Sequence, residues 1–419
     1  MKSLKNAIAA AAIGLVASLA GCASTPMPPD LGCGVPGGLC APLEPNTSAP
    51  PVERLRPPAE PADSETRTSP VELYPGTGTP GAQALPAGAA ARIALLLPLQ
   101  SPGLGQAAEA VRAGFLAGHE RDRAGIEVTV IASGDSPEST LQAYAEAAAG
   151  NDIVVGPLAR SSVAALIAGN AVTKPTLALN HPQLDRPLPP QLLVVGLSLE
   201  EEARQVADWA AKEHPGARAL VLGGKAAWQQ RAAGAFSGRW TRLGYEHATV
   251  ELPMFDGYVD ANALAALRSR MDIERPQLVF AALDAGALRQ VRSALGTSLP
   301  TYAISAANPG RAPGRSAPEL DGVRLVDLPW TVQPDHPQVM VYPRPVEADS
   351  LDMQRLYALG IDAFQVARTL ARQPDADFEL DGVTGRLSVR RKNGAWSLQR
   401  LETAAIYRDG IGYETVAGK

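Results

Sequence analysis

The chain has 419 residues, 46% of them hydrophobic, which allows two or three domains and a sizeable core. Its 38 lysines and arginines stand against 43 aspartates and glutamates, for a formal net charge of −5. With a pI near 5.7 there is no basic surplus for a phosphate backbone, and the composition argues against a nucleic-acid partner while leaving local basic patches open.

The chain opens "MKSLKNAIAAAAIGLVASLAGCAS": Lys2 and Lys5, an uncharged apolar run from Ala7 to Ala20, then small residues. This pattern predicts a signal peptide over residues 1–21, with an apolar stretch too short for a good membrane span. Leu19-Ala20-Gly21-Cys22 resembles a bacterial lipobox, which implies a lipid on the Cys22 sulfur and cleavage just before it. The residue after Cys22 is Ala23, not Asp, and by the same resemblance the anchor belongs in the outer membrane, facing the periplasm. Cys33 and Cys40, in "CGVPGGLC", are close enough for a small disulfide in an oxidising compartment, or are two unpaired thiols. No cysteine lies beyond position 40, which excludes a thiol nucleophile or a cysteine metal site from the rest of the chain.

Residues 22–90 read as a lipidated cysteine followed by a disordered linker, since 15 of the 37 prolines fall there and no apolar periodicity is sustained. Such a tether spans about 45 to 50 Å as a coil. Drawn into polyproline II it reaches about 200 Å. The predicted globular part is 91–419. Strands are expected at Ile93–Leu97, Ile126–Ile131, Ile153–Val155, Thr176–Leu179, Leu192–Gly196, Ala219–Leu222, Ala248–Leu252, Leu278–Ala281, Thr301–Ile304 and Gly322–Val326. Helices are expected at Gln106–Asp122, Thr140–Gly150, Val163–Asn170, Leu199–His214, Ala227–Leu243, Ala261–Met271 and Gly286–Leu295. Regular alternation of the two predicts an α/β fold with mainly parallel sheets flanked by helices, and so many strands call for two sheets and hence two lobes.

Familiar site motifs fail on inspection. Gly103-Leu104-Gly105-Gln106-Ala107-Ala108 fits G-x-G-x-x-A, but Pro98 to Pro102 separate it from the strand, and no acidic residue ends the second strand, so a dinucleotide has no place there. "LVLGGKAAW" lacks the first glycine of a phosphate loop and carries Ala226 where a hydroxyl belongs. "IVVGPLARSSVAAL" reads as a buried strand, a Gly-Pro turn and a helix capped by Ser161 or Ser162. His119, His181, His214, His247 and His336 show no ligand spacing, and no G-x-S-x-G elbow occurs. The residues therefore predict no enzyme, no cofactor and no metal.

Three segments, "RIALLLPLQSPGLGQAAEAVRAGFLAG", "DIVVGPLARSSVAAL" and "KPTLALNHPQ", resemble a type I periplasmic-binding-protein lobe, as in branched-chain amino-acid receptors. With "ARALVLGGKAAWQQRAAGAFSGRWTRLGY", "LYALGIDAFQVARTL" and "LDGVTGRLSVRRKNGAWSLQRLETAAIYRDG", the chain from about residue 91 resembles the C-terminal domain of the LpoA family. Members of that family are outer-membrane lipoproteins that activate penicillin-binding proteins. Long members carry a helical-repeat domain where this sequence has only its Pro-rich stretch, a departure that puts any role of that domain in doubt.

The resemblance implies a two-lobed fold, lobe 1 being about 91–197 plus part of 307–419 and lobe 2 about 200–305 plus part of 330–419. The chain would cross between lobes near Leu197–Glu200, Ala306–Ala317 and Pro329–Ser350. Loops at the carboxyl ends of strands would line the interlobe cleft. They offer Gln100, Ser101, Gly134, Asp135, Gly156, Pro157, Leu158, Asn180 and His181 from lobe 1, and Gly224, Lys225 and Ser305 from lobe 2. The implied function is non-enzymatic activation of a bifunctional class A penicillin-binding protein, a peptidoglycan synthase. The alternative is a lipid-anchored receptor for an amino acid or peptide, serving a transporter, with a small molecule held in that cleft. A basic strip of Arg386, Arg390, Arg391 and Lys392 reads either as a patch for an acidic partner or as a solvated hairpin face.

Overall fold

The computed structural model describes residues 91–416 apart from 183, 185, 311–315, 346–349, 393 and 411. The expectations for the signal peptide, Cys22, Cys33, Cys40 and the linker lie outside the described residues.

The first strand, β1 (Ala91–Leu97), buries every residue from Ile93 to Leu97. It can do so because the sheet is covered on both sides. Ile93, Leu95 and Leu97 enter the core on one face, Ala94 and Leu96 a second core on the other. Around it stand β2 (Ile126–Ala132), β3 (Ile153–Val155), β4 (Thr176–Ala178) and β5 (Leu192–Val194), all parallel, in the order β2-β1-β3-β4-β5. Helices α1 (Gly105–Arg121), α2 (Pro137–Gly150) and α3 (Arg160–Ala168) make the crossovers.

Helix α4 (Leu199–Glu213) opens the second lobe, followed by β6 (Ala219–Gly223), α5 (Ala227–Arg242), β7 (His247–Glu251) and a small hairpin of β8 (Met254–Phe255) and β9 (Tyr258–Val259). Then come α6 (Ala261–Glu274), β10 (Leu278–Ala282), α7 (Ala285–Leu295), β11 (Thr301–Ala303) and β12 (Arg324–Asp327). The alternation of faces recurs here: Leu220, Leu222, Val279 and Ala281 point into one core, Ala219, Val221, Leu278 and Phe280 into another.

The chain continues through two short helices, α8 (Pro329–Val332) and α9 (Pro337–Met340), into α10 (Leu351–Arg372), which packs along α1 in the first lobe. An antiparallel sheet of β13 (Phe378–Gly382), β14 (Gly385–Lys392) and β15 (Ala395–Leu401) stays there, its Phe378, Leu387 and Val389 joining the first core. Finally β16 (Thr403–Arg408), antiparallel to β12, and β17 (Gly412–Thr415), antiparallel to β16, return to the second sheet, giving the order β17-β16-β12-β11-β10-β6-β7.

Three features differ from the sequence reading. The crossing expected at Ala306–Ala317 is not made, because Ala307, Ala317 and Leu320 all pack in the second lobe's core; the chain crosses instead at Glu402, between β15 and β16. Ala307 and the described residues from Ala317 to Asp327 accordingly belong with lobe 2. Neither Ser161 nor Ser162 caps α3, whose N-cap is Ala159. Ser162 is buried and hydrogen-bonds to the Thr140 hydroxyl across 2.8 Å. Helix α10 and strands β13, β16 and β17 answer no sequence-predicted element, and β14 and β15, which carry the basic strip, pair as an antiparallel hairpin.

Helices α1 and α10 approach closely enough that glycine is required on both. A Cβ on Gly114 would stand 1.9 Å from the Tyr357 carbonyl oxygen, and one on Gly360 would stand 2.2 Å from that of Val111. The contact is backbone against backbone, with Phe115 and Phe364 meeting edge-on beside it.

Candidate functional site

All three crossovers meet at one buried polar cluster. Ser198 caps α4, its hydroxyl accepting the amide of Glu201, and so fixes the first turn of that helix. Glu200 and Glu201 turn outward to Arg231 and Arg204, while Glu202 turns inward. There its carboxylate accepts the backbone N–H of Ser305 at 2.8 Å and the Ser305 hydroxyl at 3.0 Å.

The second crossover is held by Arg355, on the first turns of α10. Its guanidinium grips the buried Asp327 carboxylate through Nε at 3.2 Å and Nη2 at 2.7 Å, and also donates to the Ser305 carbonyl and to Asp352. Asp327 further accepts from Asn308 and from the Leu328 amide. A fork donating to both carboxylate oxygens fixes orientation as well as position, so α10 is indexed against the end of β12.

Arg400, on β15, holds the third crossover to the first. Its Nη1 and Nη2 donate to the carbonyls of Gly196 and Val195 at 2.9 and 2.7 Å, and its Nε donates to the Thr384 hydroxyl. Thr384 in turn donates to the buried Asp362, which also accepts the amides of Val383 and Thr384. Gln205 of α4 closes the ring by donating to the Arg400 carbonyl and accepting the Glu402 amide.

Burial dominates the electrostatics. It pushes the Glu202 carboxyl up to about 7, helped by the Asp327 charge and opposed by the Ser305 hydrogen bonds. Burial, then repulsion from Glu202, raises Glu402 well above the usual carboxylate range, and its Oε2 has no hydrogen-bond partner among the described residues. Asp362 is raised by burial despite its three donors, and burial lowers Arg400. Burial works against the charge on Arg355 too, but Asp327 outweighs it and its pKa is raised.

A pH dependence follows from Glu202. A carboxyl whose pKa is higher folded than unfolded holds its proton in the native state where the unfolded chain has lost it. Its stabilising contribution is present below the unfolded value of 4.5 and is lost as pH rises toward about 7. Glu202→Gln mimics the protonated form. The stability of the wild type relative to this variant should therefore fall by roughly 2–3 kcal/mol between pH 4.5 and 8, measured by urea unfolding of both at each pH. Parallel pH profiles would contradict the assignment.

Beside the cluster lies a cavity of about 1170 Å³. Leu197 and Ser198 of the first crossover line it, with Glu202, Trp228, Asp284, Ser305 and Asn308 of lobe 2. Trp330, Thr331, Arg344 and Arg355 close it from the second crossover. Of the residues expected to line the cleft, Ser305 lines this cavity. The others have local duties. Gln100 sits in an exposed turn; Ser101 is buried and its hydroxyl accepts the Leu104 amide ahead of α1. Gly134 donates its amide to Ser139, and Asp135 is exposed. Gly156, Pro157 and Leu158 are buried within lobe 1. At Gly156 the φ of +121° and a Leu96 carbonyl 2.0 Å from any added Cβ exclude other residues. Asn180 donates to the Leu158 carbonyl, and the His181 ring bonds the Gly196 carbonyl with its pKa lowered by burial. In lobe 2, Gly224 lies against Met254 and Gln229, and Lys225 is exposed. Arg390 and Arg391 of the basic strip pair with Glu379 and Asp375, and Arg391 also lies over the Trp396 ring.

Two parallel-sheet lobes flanked by helices and joined by three crossovers make the periplasmic-binding-protein-like class of fold. A model of the family described as LppC putative lipoprotein matches residues 81–410, and the chain belongs to that family. It is 26% identical over 351 residues to the penicillin-binding protein activator LpoA of Aliivibrio fischeri, covering 74% of this chain and 57% of that one. With LpoA of Haemophilus ducreyi it shares 26% over 307 residues, 71% of this chain and 50% of the other. The chain thus spans little more than half the length of these relatives. Among solved structures, the C-domain of Haemophilus influenzae LpoA, described as a regulator of PBP1A, matches with a TM-score of 0.64 at 24% identity, over 78% of this chain and all of that one. A structure from Chromobacterium violaceum, described as a putative branched-chain amino acid ABC transporter, matches with a TM-score of 0.63 at 34% identity, over 76% of this chain and all of that one.

Proposed function

We propose that the chain is a non-enzymatic regulator of peptidoglycan synthesis, an outer-membrane lipoprotein that binds and activates a bifunctional class A penicillin-binding protein. The observation that carries this reading is the similarity to LpoA activators over about three quarters of the chain. In this reading Cys22 carries the lipid, and residues 23–90 give the globular part reach from the membrane toward a synthase on the far side of the wall.

A second reading, a solute receptor, draws support from the C. violaceum neighbour. The site speaks against it. Receptors of this kind hold ligand with loops from both lobes, and here the first lobe's loops are bonded to their own lobe. The crossovers, which a closing receptor must flex, are tied together by the buried Arg355–Asp327 ion pair and by the hydrogen bonds from Arg400 to Gly196 and from the Glu402 amide to Gln205. Immobilised full-length lipoprotein should retain a purified class A penicillin-binding protein, and its melting temperature should not move with amino acids or short peptides at millimolar concentration. A ligand-induced thermal shift without synthase binding would reverse the two readings.

A further inference from the structure

The hairpin of β8 and β9 carries two aromatic side chains that the fold leaves uncovered. Phe255 is 73% and Tyr258 72% exposed, and the two are directly opposed in register. Cross-strand partners form one contiguous surface, unlike exposed apolar residues scattered singly over a monomer. The hairpin is also stiff. Asp256 and Gly257, with φ of 48° and 80°, make the tight two-residue turn that suits the twist of the strands. Gln290 of α7 accepts the Val259 amide at 2.9 Å and donates to the Gly257 carbonyl at 3.0 Å. Val259 is buried in the second lobe's core and Met254 packs against it. The aromatic pair is thus presented on a base that the rest of the lobe holds still, which lowers the entropy lost on docking.

The charged residues of 251–260 are the exposed Glu251 and Asp256 and the partly buried Asp260, whose carboxylate accepts the Ala263 amide at the start of α6. The exposed Lys225 stands on the adjoining β6–α5 loop. An acidic collar disfavours an anionic membrane surface and favours a protein whose pocket is apolar and whose rim is basic. We propose that Phe255 and Tyr258 form a docking prong for such a protein, and, resting on the function proposed above, that the protein is the penicillin-binding protein. Aromatic anchors in a pocket with complementary charge around them are the usual carriers of affinity and of association rate respectively.

The test uses the full-length lipoprotein and a purified class A penicillin-binding protein in a surface-binding assay. Phe255→Ser with Tyr258→Ser should weaken the affinity at least tenfold while leaving the melting temperature and the sedimentation of the lipoprotein alone unchanged. Asp256→Lys, which keeps both aromatics, should slow association severalfold at low salt and have little effect at high salt. A double variant that binds like the wild type overturns the prong and leaves the proposed function standing. A wild-type chain that does not bind the synthase overturns both. A wild-type dimer that the double variant abolishes assigns the prong to a second copy of this chain and overturns the synthase as its partner.

Discussion

Replacing Arg355 by alanine is expected to cost roughly 3–5 kcal/mol of unfolding free energy, the range for removing one partner of a buried ion pair. Asp327 is completely buried and both its oxygens accept from the Arg355 fork, so truncation strands a carboxylate in the interior. The Ser305 carbonyl loses a donor as well. Arg355→Lys should recover only part of the loss, because an ammonium cannot donate to two carboxylate oxygens and a carbonyl in the same planar geometry. Arg355→Met combined with Asp327→Asn, which removes both charges together, should be more stable than Arg355→Ala alone. Chemical denaturation of the four proteins measures this order, and an alanine variant within about 1 kcal/mol of wild type would contradict the account of the crossovers.

Gly360→Ala is expected to cost about 3 kcal/mol or more, above what an added methyl usually costs in a core, since the obstruction is backbone. The new Cβ would lie 2.2 Å from the Val111 carbonyl oxygen and 2.7 Å from the Phe115 nitrogen, and no side-chain rotation relieves either. The helices must move apart, disturbing Phe115 and Phe364, which are both fully buried. Gly103→Ala serves as control, because its added Cβ meets nothing within 4 Å. Thermal melts of the two variants should separate clearly. Coincident melts would mean that α1 and α10 are not packed as described.

The parallel core was legible because its strands are buried on both faces and read as short apolar runs between turn residues, as in Ile93–Leu97 and Leu278–Ala282. Helix α10 was hidden for the converse reason. Its polar residues do recur at helical spacing, Arg355, Asp362, Gln365, Thr369 and Arg372, but Arg355 and Asp362 of that stripe are buried, so the period does not separate an inner from an outer face. Strands β14 and β15 alternate, but with charges on the open face, and read as a hairpin without a place in the fold.

The buried cluster left still less trace. Glu202 sits in a first turn of three glutamates, where acidic residues are ordinarily explained by the helix dipole, and Arg400 and Glu402 look like surface charges on a terminal strand. What makes them a site is pairing across great sequence distance: Glu202 with Ser305, Gln205 with Glu402, Arg400 with Gly196. Local pattern carries none of that. The loops expected at the cleft show the opposite relation. They follow the carboxyl ends of β1 and β4, and Asn180, His181 and Ser101 spend polar atoms on partners within their own lobe.

The central claim, that the chain activates a peptidoglycan synthase, is tested most directly by crosslinking. A purified class A penicillin-binding protein would be supplied with lipid II, with and without the full-length lipoprotein, and the fraction of crosslinked muropeptides measured. The account predicts a severalfold rise in crosslinking that saturates with lipoprotein concentration and shifts to higher concentration in the Phe255→Ser, Tyr258→Ser variant. Crosslinking unchanged at every lipoprotein concentration would contradict it.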